Sequence, residues 1–184
     1  MIRTLRAAGT AAAAFGLFAS ITLGGPFSGE GSAFPATATP IPAEVLSLDQ
    51  QVARSTTTET TDAEQDCLAS AVYFEARGEP LQGQLAVADV VLNRAASGRY
   101  PATICGVVLQ PWQFSFVNRT GRIPNADRSS EAWRKAVAVA RIAQAGTARA
   151  VAPDVLWYHA DYVSPSWGRR LACQDKIGLH IFYS

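Results

Sequence analysis

The stretch that decides the fold is CLASAVYFEARGEPLQGQLAVADVVLNR, residues 67–94. Apolar residues recur at helical spacing on both sides of the corner 78–80, which predicts two helices joined by a very short turn. In the first helix Leu68 and Val72 share a face, and this face continues to Glu75. The pattern therefore places a titratable carboxyl at the C-terminal edge of an apolar stripe.

Two glutamates close to this corner are candidate catalytic groups. Partial burial and the negative potential of a helix C-terminus both raise the pKa of Glu75, and a carboxyl that stays protonated near neutral pH can act as a general acid. The ordinary alternative is a surface glutamate at a frayed helix end, or one paired with Arg77 or Arg94. Glu79 either complements the positive N-terminus of the second helix or provides a second carboxylate near Glu75.

Local signals place two further helix boundaries. Residues 61–64 read Thr-Asp-Ala-Glu, a capping box in which the Thr61 hydroxyl and the Glu64 side chain satisfy each other's backbone amides. Farther along, Ser130 is a suitable N-cap and Gly146 a suitable stop for a helix over 131–145. The first signal predicts where the helix that carries Glu75 begins, and the second predicts a scaffold helix.

The C-terminal part of the sequence changes its period. VLWYHADYV (155–163) and IGLHIFYS (177–184) are rich in β-branched and aromatic residues. They predict two strands, paired antiparallel. The fold class is therefore α+β, with helical packing in the first part and a small antiparallel sheet at the C-terminus.

Length and charge exclude several functions. The chain has 184 residues, 48% of them hydrophobic, and 16 Lys and Arg balance 15 Asp and Glu for a net charge of +1. It can hold one modest core, and it has no electrostatic basis for gripping nucleic acid. We also find no glycine-rich phosphate loop and no serine in a nucleophile elbow, so the enzyme classes that depend on them are excluded.

The N-terminal segment predicts export. Arg3 and Arg6 precede an uncharged apolar stretch over 7–25, and residues 36–38 fit a small-x-small cleavage site. Residues 1–38 are therefore predicted to be a signal peptide or, if uncleaved, an N-terminal membrane anchor. Both interpretations place the rest of the chain outside the cytoplasm, in the periplasm or cell envelope or secreted.

The following segment is rich in Pro, Thr and Ser and contains STTTETT. Such a composition cannot bury enough apolar surface to offset its ordering entropy, so residues 39–60 are predicted to be a disordered tether. The folded domain is then 61–184. It holds three cysteines, Cys67, Cys105 and Cys173, and export favours a disulfide over a thiol catalyst, with one cysteine unpaired or paired between chains.

Two kinds of site are compatible with the remaining polar and aromatic residues. His159, Asp161 and His180 have the composition of a two-histidine, one-carboxylate metal site, although their spacing is not diagnostic. Alternatively, PWQFSF and WYHADY, at 111–116 and 157–162, supply aromatic faces and amide groups for a glycan groove. These aromatic residues could also simply be core.

A resemblance favours the glycan groove. CLASAVYFEARGEPLQGQLAVADVVLNR, YPATICGVV, QFSF, WYHADYVSPSW and IGLHIFY, taken in this order, resemble the bacterial cell wall hydrolase family of the SleB-like, spore-cortex lytic type. The resemblance implies a lysozyme-like α+β fold that acts on peptidoglycan glycan strands without a cofactor. It also implies that Glu75 is the catalytic acid/base, that Gln113, Phe114 and Ser115 line the cleft, and that the strand of His180 borders it. The expected substrate-binding residues are these four together with Glu79 from the corner and Tyr158 and His159 from the WYHADY stretch.

The function expected from this resemblance is cleavage between N-acetylmuramic acid and N-acetylglucosamine, as a lytic transglycosylase or a muramidase. The alternatives are a non-catalytic peptidoglycan-binding module and a metal-dependent cell wall amidase. We expect a monomer that binds peptidoglycan and no nucleic acid, with membrane attachment only through residues 1–38. Export and the resemblance together predict a disulfide between Cys67 and Cys105.

Overall fold

The computed structural model describes residues 45–117 and 121–184. Helices come first in this part of the chain and a three-stranded antiparallel sheet follows them, as the predicted α+β class requires. The elements are α1 (Leu48–Ser55), α2 (Ala63–Ala76), α3 (Leu81–Ala96), α4 (Ile104–Val108), α5 (Glu131–Ala145), β1 (Trp157–Ala160), a 3₁₀ turn (Gly168–Arg170), β2 (Cys173–Ile177) and β3 (His180–Tyr183).

Helix α2 is the centre of the helical part and packs against α3, α4 and α5. It is buried on nearly every side, and Leu68 and Val72 are fully enclosed. The sequence predicted burial of one face only. Burial ends only in the last turn, where Glu75 is half-buried and Arg77 exposed. Glu75 therefore lies where the core helix emerges at the surface.

The start of α2 differs from the predicted capping box. Asp62, not Thr61, is the N-cap, and its carboxylate accepts the amide three residues later at 2.8 Å. Glu64 accepts instead from the amide of Ile104 at 2.5 Å, at the beginning of α4. A distant helix N-terminus offers its unpaired amides to this carboxylate, so a tertiary contact replaces the local one.

The predicted disulfide between Cys67 and Cys105 is confirmed. It joins α2 to α4 with a Cα–Cα distance of 5.2 Å, across a sequence separation of 38 residues. Cys173 is free and exposed at the start of β2.

The predicted tether over 39–60 is wrong for its described part. A capping box at Ser47 begins α1, and Val52 is buried with only 5% of its surface exposed. Beyond α1, the indole Nε1 of Trp133 in α5 donates to the carbonyl of Thr58 at 3.0 Å. The Thr-rich segment is ordered because α5 provides both an apolar surface and hydrogen-bond donors for it.

The predicted signal or anchor, residues 1–38, lies outside the described residues, as do 39–44. Among the residues that are described, no helix has the length and apolar character needed to cross a membrane.

The sheet has the strand order β1-β3-β2, and both pairings are antiparallel. The two predicted strands are confirmed as β1 and β3. Strand β2 was not predicted: its sequence, CQDKI, is mostly polar, and it is an exposed edge strand that needs no apolar alternation. One face of the sheet packs on α3 through a second apolar cluster made of Ala86, Val90, Val151, Val155 and Phe182.

The polar side of α3 positions the sheet. Three of its side chains bind the backbone of residues 150–156, the segment that leads into β1. Asp89 accepts an amide at 2.6 Å, Asn93 donates to two carbonyls at 2.8 and 3.0 Å, and the Nε of Arg94 donates to the carbonyl of Leu156 at 2.7 Å. These bonds fix where β1 starts, and so where its side chains point.

Candidate active site

Glu75 has the environment of a general acid. Burial raises the pKa of its carboxyl, and the positive charge of Arg94 opposes that rise without cancelling it. Among the described residues Glu75 forms no ion pair with Arg77 or Arg94, and the Arg77 guanidinium lies 5.0 Å from the ring centre of Tyr73. The alternative of a surface ion pair between Glu75 and either arginine is therefore wrong.

A cleft of about 400 Å³ lies near this carboxyl, and two of its lining residues, Arg94 and Tyr158, interact electrostatically with Glu75. Its walls combine aromatic rings, an amide and a cation, the groups that recognise the faces and polar edges of sugar rings. Tyr158 connects the cleft to the acid, because burial of its hydroxyl and then the negative charge of Glu75 raise its pKa, which keeps the phenol a proton donor. The lining residues are Arg94, Tyr100, Trp112, Gln113, Trp157, Tyr158 and Trp167.

Arg94 is a cation in the lining of this cleft. Its guanidinium carbon lies 5.2 Å from the ring centre of Tyr100 and 6.0 Å from that of Phe114, while its Nε is held by Leu156. The side chain is buried, and its Nη1 has no hydrogen-bond partner among the residues that the structure describes. Burial lowers the pKa of the guanidinium, yet arginine stays charged in proteins, so the positive charge persists beside Glu75.

The three residues of the QFS motif have different positions. Gln113 is exposed and lines the cleft, as expected. Phe114 is buried in the core beneath Arg94, and Ser115 is exposed but does not line the cleft. The loop that carries them is attached to the last turn of α2 by a stack of Phe116 on Phe74, with ring centres 5.0 Å apart.

The sheet separates the remaining expected residues. Tyr158 and His180 lie on one face, with ring centres 5.1 Å apart. His159 lies on the other face, where Nδ1 is 2.8 Å from the Ala160 carbonyl and Nε2 is 2.9 Å from the Tyr183 hydroxyl. Both ring nitrogens of His159 therefore have partners in β1 and β3, and His159 does not line the cleft.

The candidate metal ligands do not converge. His159 and His180 point to opposite faces of the sheet, and the carboxylate of Asp161 pairs with Lys176 at 2.7 Å. Burial lowers the pKa of His180, while the nearby carboxylates of Glu79 and Asp161 oppose this. In the part of the chain that the structure describes, no three His, Cys, Asp or Glu residues are grouped so that they could hold a metal ion.

Glu79 lies outside the cleft lining. Its Oε2 accepts the backbone amide of Leu179, in the turn between β2 and β3, at 2.9 Å. The side chain thus contacts a turn of the sheet that is 100 residues away in the sequence.

Sequence reasoning missed three of the residues that line the cleft. Arg94 was considered only as an ion-pair partner, and Tyr100 and Trp167 were not considered as site residues. Both aromatics do lie within the motifs that carry the family resemblance: Tyr100 begins YPATICGVV and Trp167 ends WYHADYVSPSW. Their presence in these motifs was the available signal.

Comparison with known families identifies the domain. Residues 78–183 match the family model described as Cell Wall Hydrolase, which is more than half of the chain. The chain belongs to the cell wall hydrolase family. Among curated members, the spore cortex-lytic enzyme of Bacillus cereus is 38% identical over 118 residues, which cover 62% of this chain and 42% of that protein. That of Bacillus subtilis (strain 168) is 52% identical over 50 residues, covering 27% and 16%.

Solved structures of the same family share the fold. The catalytic domain of the germination-specific lytic transglycosylase SleB from Bacillus anthracis superposes with a TM-score of 0.54 at 33% identity, covering 70% of this chain and 99% of that one. The catalytic domain of the Bacillus cereus SleB protein gives 0.51 at 33% identity, covering 71% and 96%. The chain thus matches nearly all of those catalytic domains, but less than half of the full-length curated relatives.

Proposed function

We propose that this domain cleaves peptidoglycan glycan strands between N-acetylmuramic acid and N-acetylglucosamine, with Glu75 as the general acid/base and without a cofactor. The observation that carries the proposal is the half-buried Glu75 carboxyl, whose pKa burial raises, beside a cleft lined by aromatic and amide side chains. Its similarity to spore cortex-lytic enzymes and to a lytic transglycosylase domain supports the same substrate class.

In the transglycosylase reaction a single carboxyl suffices. Glu75 donates its proton to the glycosidic oxygen, then accepts one from the C6 hydroxyl of the muramic residue as that oxygen closes a 1,6-anhydro ring. Burial keeps the proton on Glu75 before the first step, and the charge of Arg94 stabilises the carboxylate between the two steps. Glu79, occupied by the Leu179 amide, has no part in either transfer, which favours this route over one with a second carboxylate and water.

We further propose that the domain acts after export, in the cell envelope or outside the cell, as a monomer. The disulfide between Cys67 and Cys105 supports this setting, because disulfides persist in oxidising compartments. Residues 1–38 would serve as the signal peptide or as the membrane anchor.

The test compares Glu75→Gln with the wild type on purified cell walls. We expect Glu75→Gln to stay folded and to lose turnover by roughly 10²-fold or more, since the amide cannot supply the proton. Glu131→Gln, the same change at an exposed residue of α5 that pairs with Lys135, is the matched control and should clear walls normally. Mass spectrometry of the wild-type products should show 1,6-anhydro-muramic ends; reducing ends would indicate a muramidase.

Other outcomes would identify the alternatives. Binding to walls without clearing would favour a peptidoglycan-binding module. Release of stem peptides that a chelator abolishes would favour a metal-dependent amidase. Normal clearing by a folded Glu75→Gln variant would refute Glu75 as the acid.

A further inference from the structure

Glu79 joins two parts of the fold that are distant in sequence. It lies in the corner between α2 and α3, one helical turn after Glu75, and its own amide donates to the carbonyl of Ala76 at 2.9 Å. Its Oε2 accepts the Leu179 amide at 2.9 Å, and its backbone carbonyl accepts from the Gln84 side chain at 3.0 Å. The corner is thereby bonded on one side to α3 and on the other to the turn between β2 and β3.

The turn is shaped to receive this carboxylate. Gly178, the residue before Leu179, has a φ of +60° and lies so close to Glu79 that a Cβ atom there would overlap Oε2. On the other side, a Cβ at Gly83 would lie 3.2 Å from the Cβ of Glu79. Two glycines thus leave room for the side chain, and the Gly178 position tolerates a side chain poorly on backbone grounds as well.

A short series of contacts leads from this bond to the cleft. The carbonyl of Leu179 accepts the amide of Asp161 at 2.8 Å, which ties the same turn to the end of β1. The next residue, His180, packs edge-on against Tyr158, and Tyr158 lines the cleft. The position of the Tyr158 wall relative to α2 therefore depends on where Glu79 holds the turn.

We infer that Glu79 is a positioning residue that fastens the β2–β3 turn to the α2–α3 corner and so sets the distance between Glu75 and the cleft wall formed by Tyr158. The inference rests on the proposed function for its catalytic consequence, and on geometry alone for the fastening itself. It assigns to Glu79 neither a proton transfer nor a contact with substrate.

Three substitutions separate this role from that of a second catalytic carboxylate. Glu79→Gln keeps an oxygen that can accept the Leu179 amide, and should remain within about tenfold of wild-type kcat. Glu79→Asp keeps the charge but is one methylene shorter and cannot reach, so kcat should fall by about a hundredfold, and Glu79→Ala should behave like Asp. A catalytic carboxylate predicts the reverse order, with Asp the better substitute, and that result would overturn the inference.

Hydrogen exchange at the Leu179 amide tests the fastening without any activity assay. Exchange should be faster by at least about tenfold in Glu79→Asp and Glu79→Ala, while Glu79→Gln should remain protected, because only the first two lose the acceptor. Gly178→Ala should expose the same amide by displacing the carboxylate. Equal exchange in all variants would refute the fastening. A wild-type domain that releases no glycan fragments but shows this exchange pattern would refute only the proposed function.

If Glu79→Ala does not fold, the Gln and Asp variants decide the question, since each replaces a polar side chain with another polar one. Their thermal unfolding is measured alongside kcat and KM. A lower kcat in Glu79→Asp than in Glu79→Gln, measured at a temperature where both variants are fully folded, supports positioning, whereas equal kcat values under that condition would overturn it.

Discussion

The Nε of Arg94 donates a hydrogen bond to the backbone carbonyl of Leu156 at 2.7 Å. This bond joins the C-terminal turn of α3 to the residue that precedes β1. Arg94 also lines the cleft that β1 helps to form, and its positive charge lowers the pKa of Glu75. One side chain therefore holds the sheet in place and adjusts the acidity of the proposed catalytic group.

The pH dependence of activity should report this coupling. Glu75 must be protonated to act as an acid, so kcat/KM should fall as the pH rises through its raised pKa. Arg94→Gln removes the positive charge that opposes the rise in the pKa of Glu75, so the fall in kcat/KM should occur at higher pH. Arg94→Lys keeps the charge, and its fall in kcat/KM should stay near that of the wild type. A fall that moves to lower pH in Arg94→Gln would contradict the electrostatic role.

Loss of the disulfide should cost considerable stability. Replacing both Cys67 and Cys105 with alanine frees a loop of 38 residues and should lower the free energy of unfolding by about 3–4 kcal/mol, by loop-closure entropy. Cys173→Ala, at an exposed free cysteine, is the control and should unfold at the wild-type urea midpoint. If Cys173→Ala destabilised the protein equally, the disulfide would not be the stabilising element.

Helix α1 should contribute to the stability of the domain. Val52→Ala removes buried methyl groups and should cost about 1–3 kcal/mol in chemical unfolding. Val45→Ala makes the same change at a side chain that is 93% exposed and should be nearly neutral. Equal effects of the two substitutions would show that α1 does not pack on the core in solution.

Asp89 should make stability depend on pH. Burial raises its pKa, and the amides of Ala150 and Val151 oppose this. Because the pKa of Asp89 is higher in the folded than in the unfolded protein, its titration adds to the free energy of unfolding at low pH. This contribution is complete below the ordinary aspartate pKa of about 3.9, and it is lost as the pH rises through the pKa that Asp89 has in the folded protein. Asp89→Asn removes this titration, so its unfolding free energy should vary less with pH over that window. An identical pH profile for both proteins would contradict the prediction.

The elements predicted correctly are those with local signals. Helix α5 runs between its Ser130 cap and its Gly146 stop as expected, and β1 and β3 follow their apolar and aromatic residues. Helix α1 was missed although Ser47 and Gln50 form a capping box, because the surrounding Pro and Thr residues outweighed it. A local signal is therefore informative only when the residues around it agree with it.

The site was predictable at its centre and less so around it. Glu75 was a candidate because a carboxyl on an apolar face is unusual within a single helix, and the family resemblance singled it out as the expected acid. Glu64 and Glu79 could not be assigned, since each binds backbone amides that folding brings from 40 and 100 residues away. Likewise, Arg94 and Trp167 meet in the cleft only through tertiary packing.

The strand order has a consequence for how the chain matures. Within the described part of the chain, β1 and β2 each pair with β3 alone, and β3 follows both of them in the sequence. Neither strand has a partner in the sheet until β3 has been synthesised, so the Tyr158 wall of the cleft is assembled last. A nascent chain that still lacks β3 already contains Glu75, but it has no finished cleft beside it.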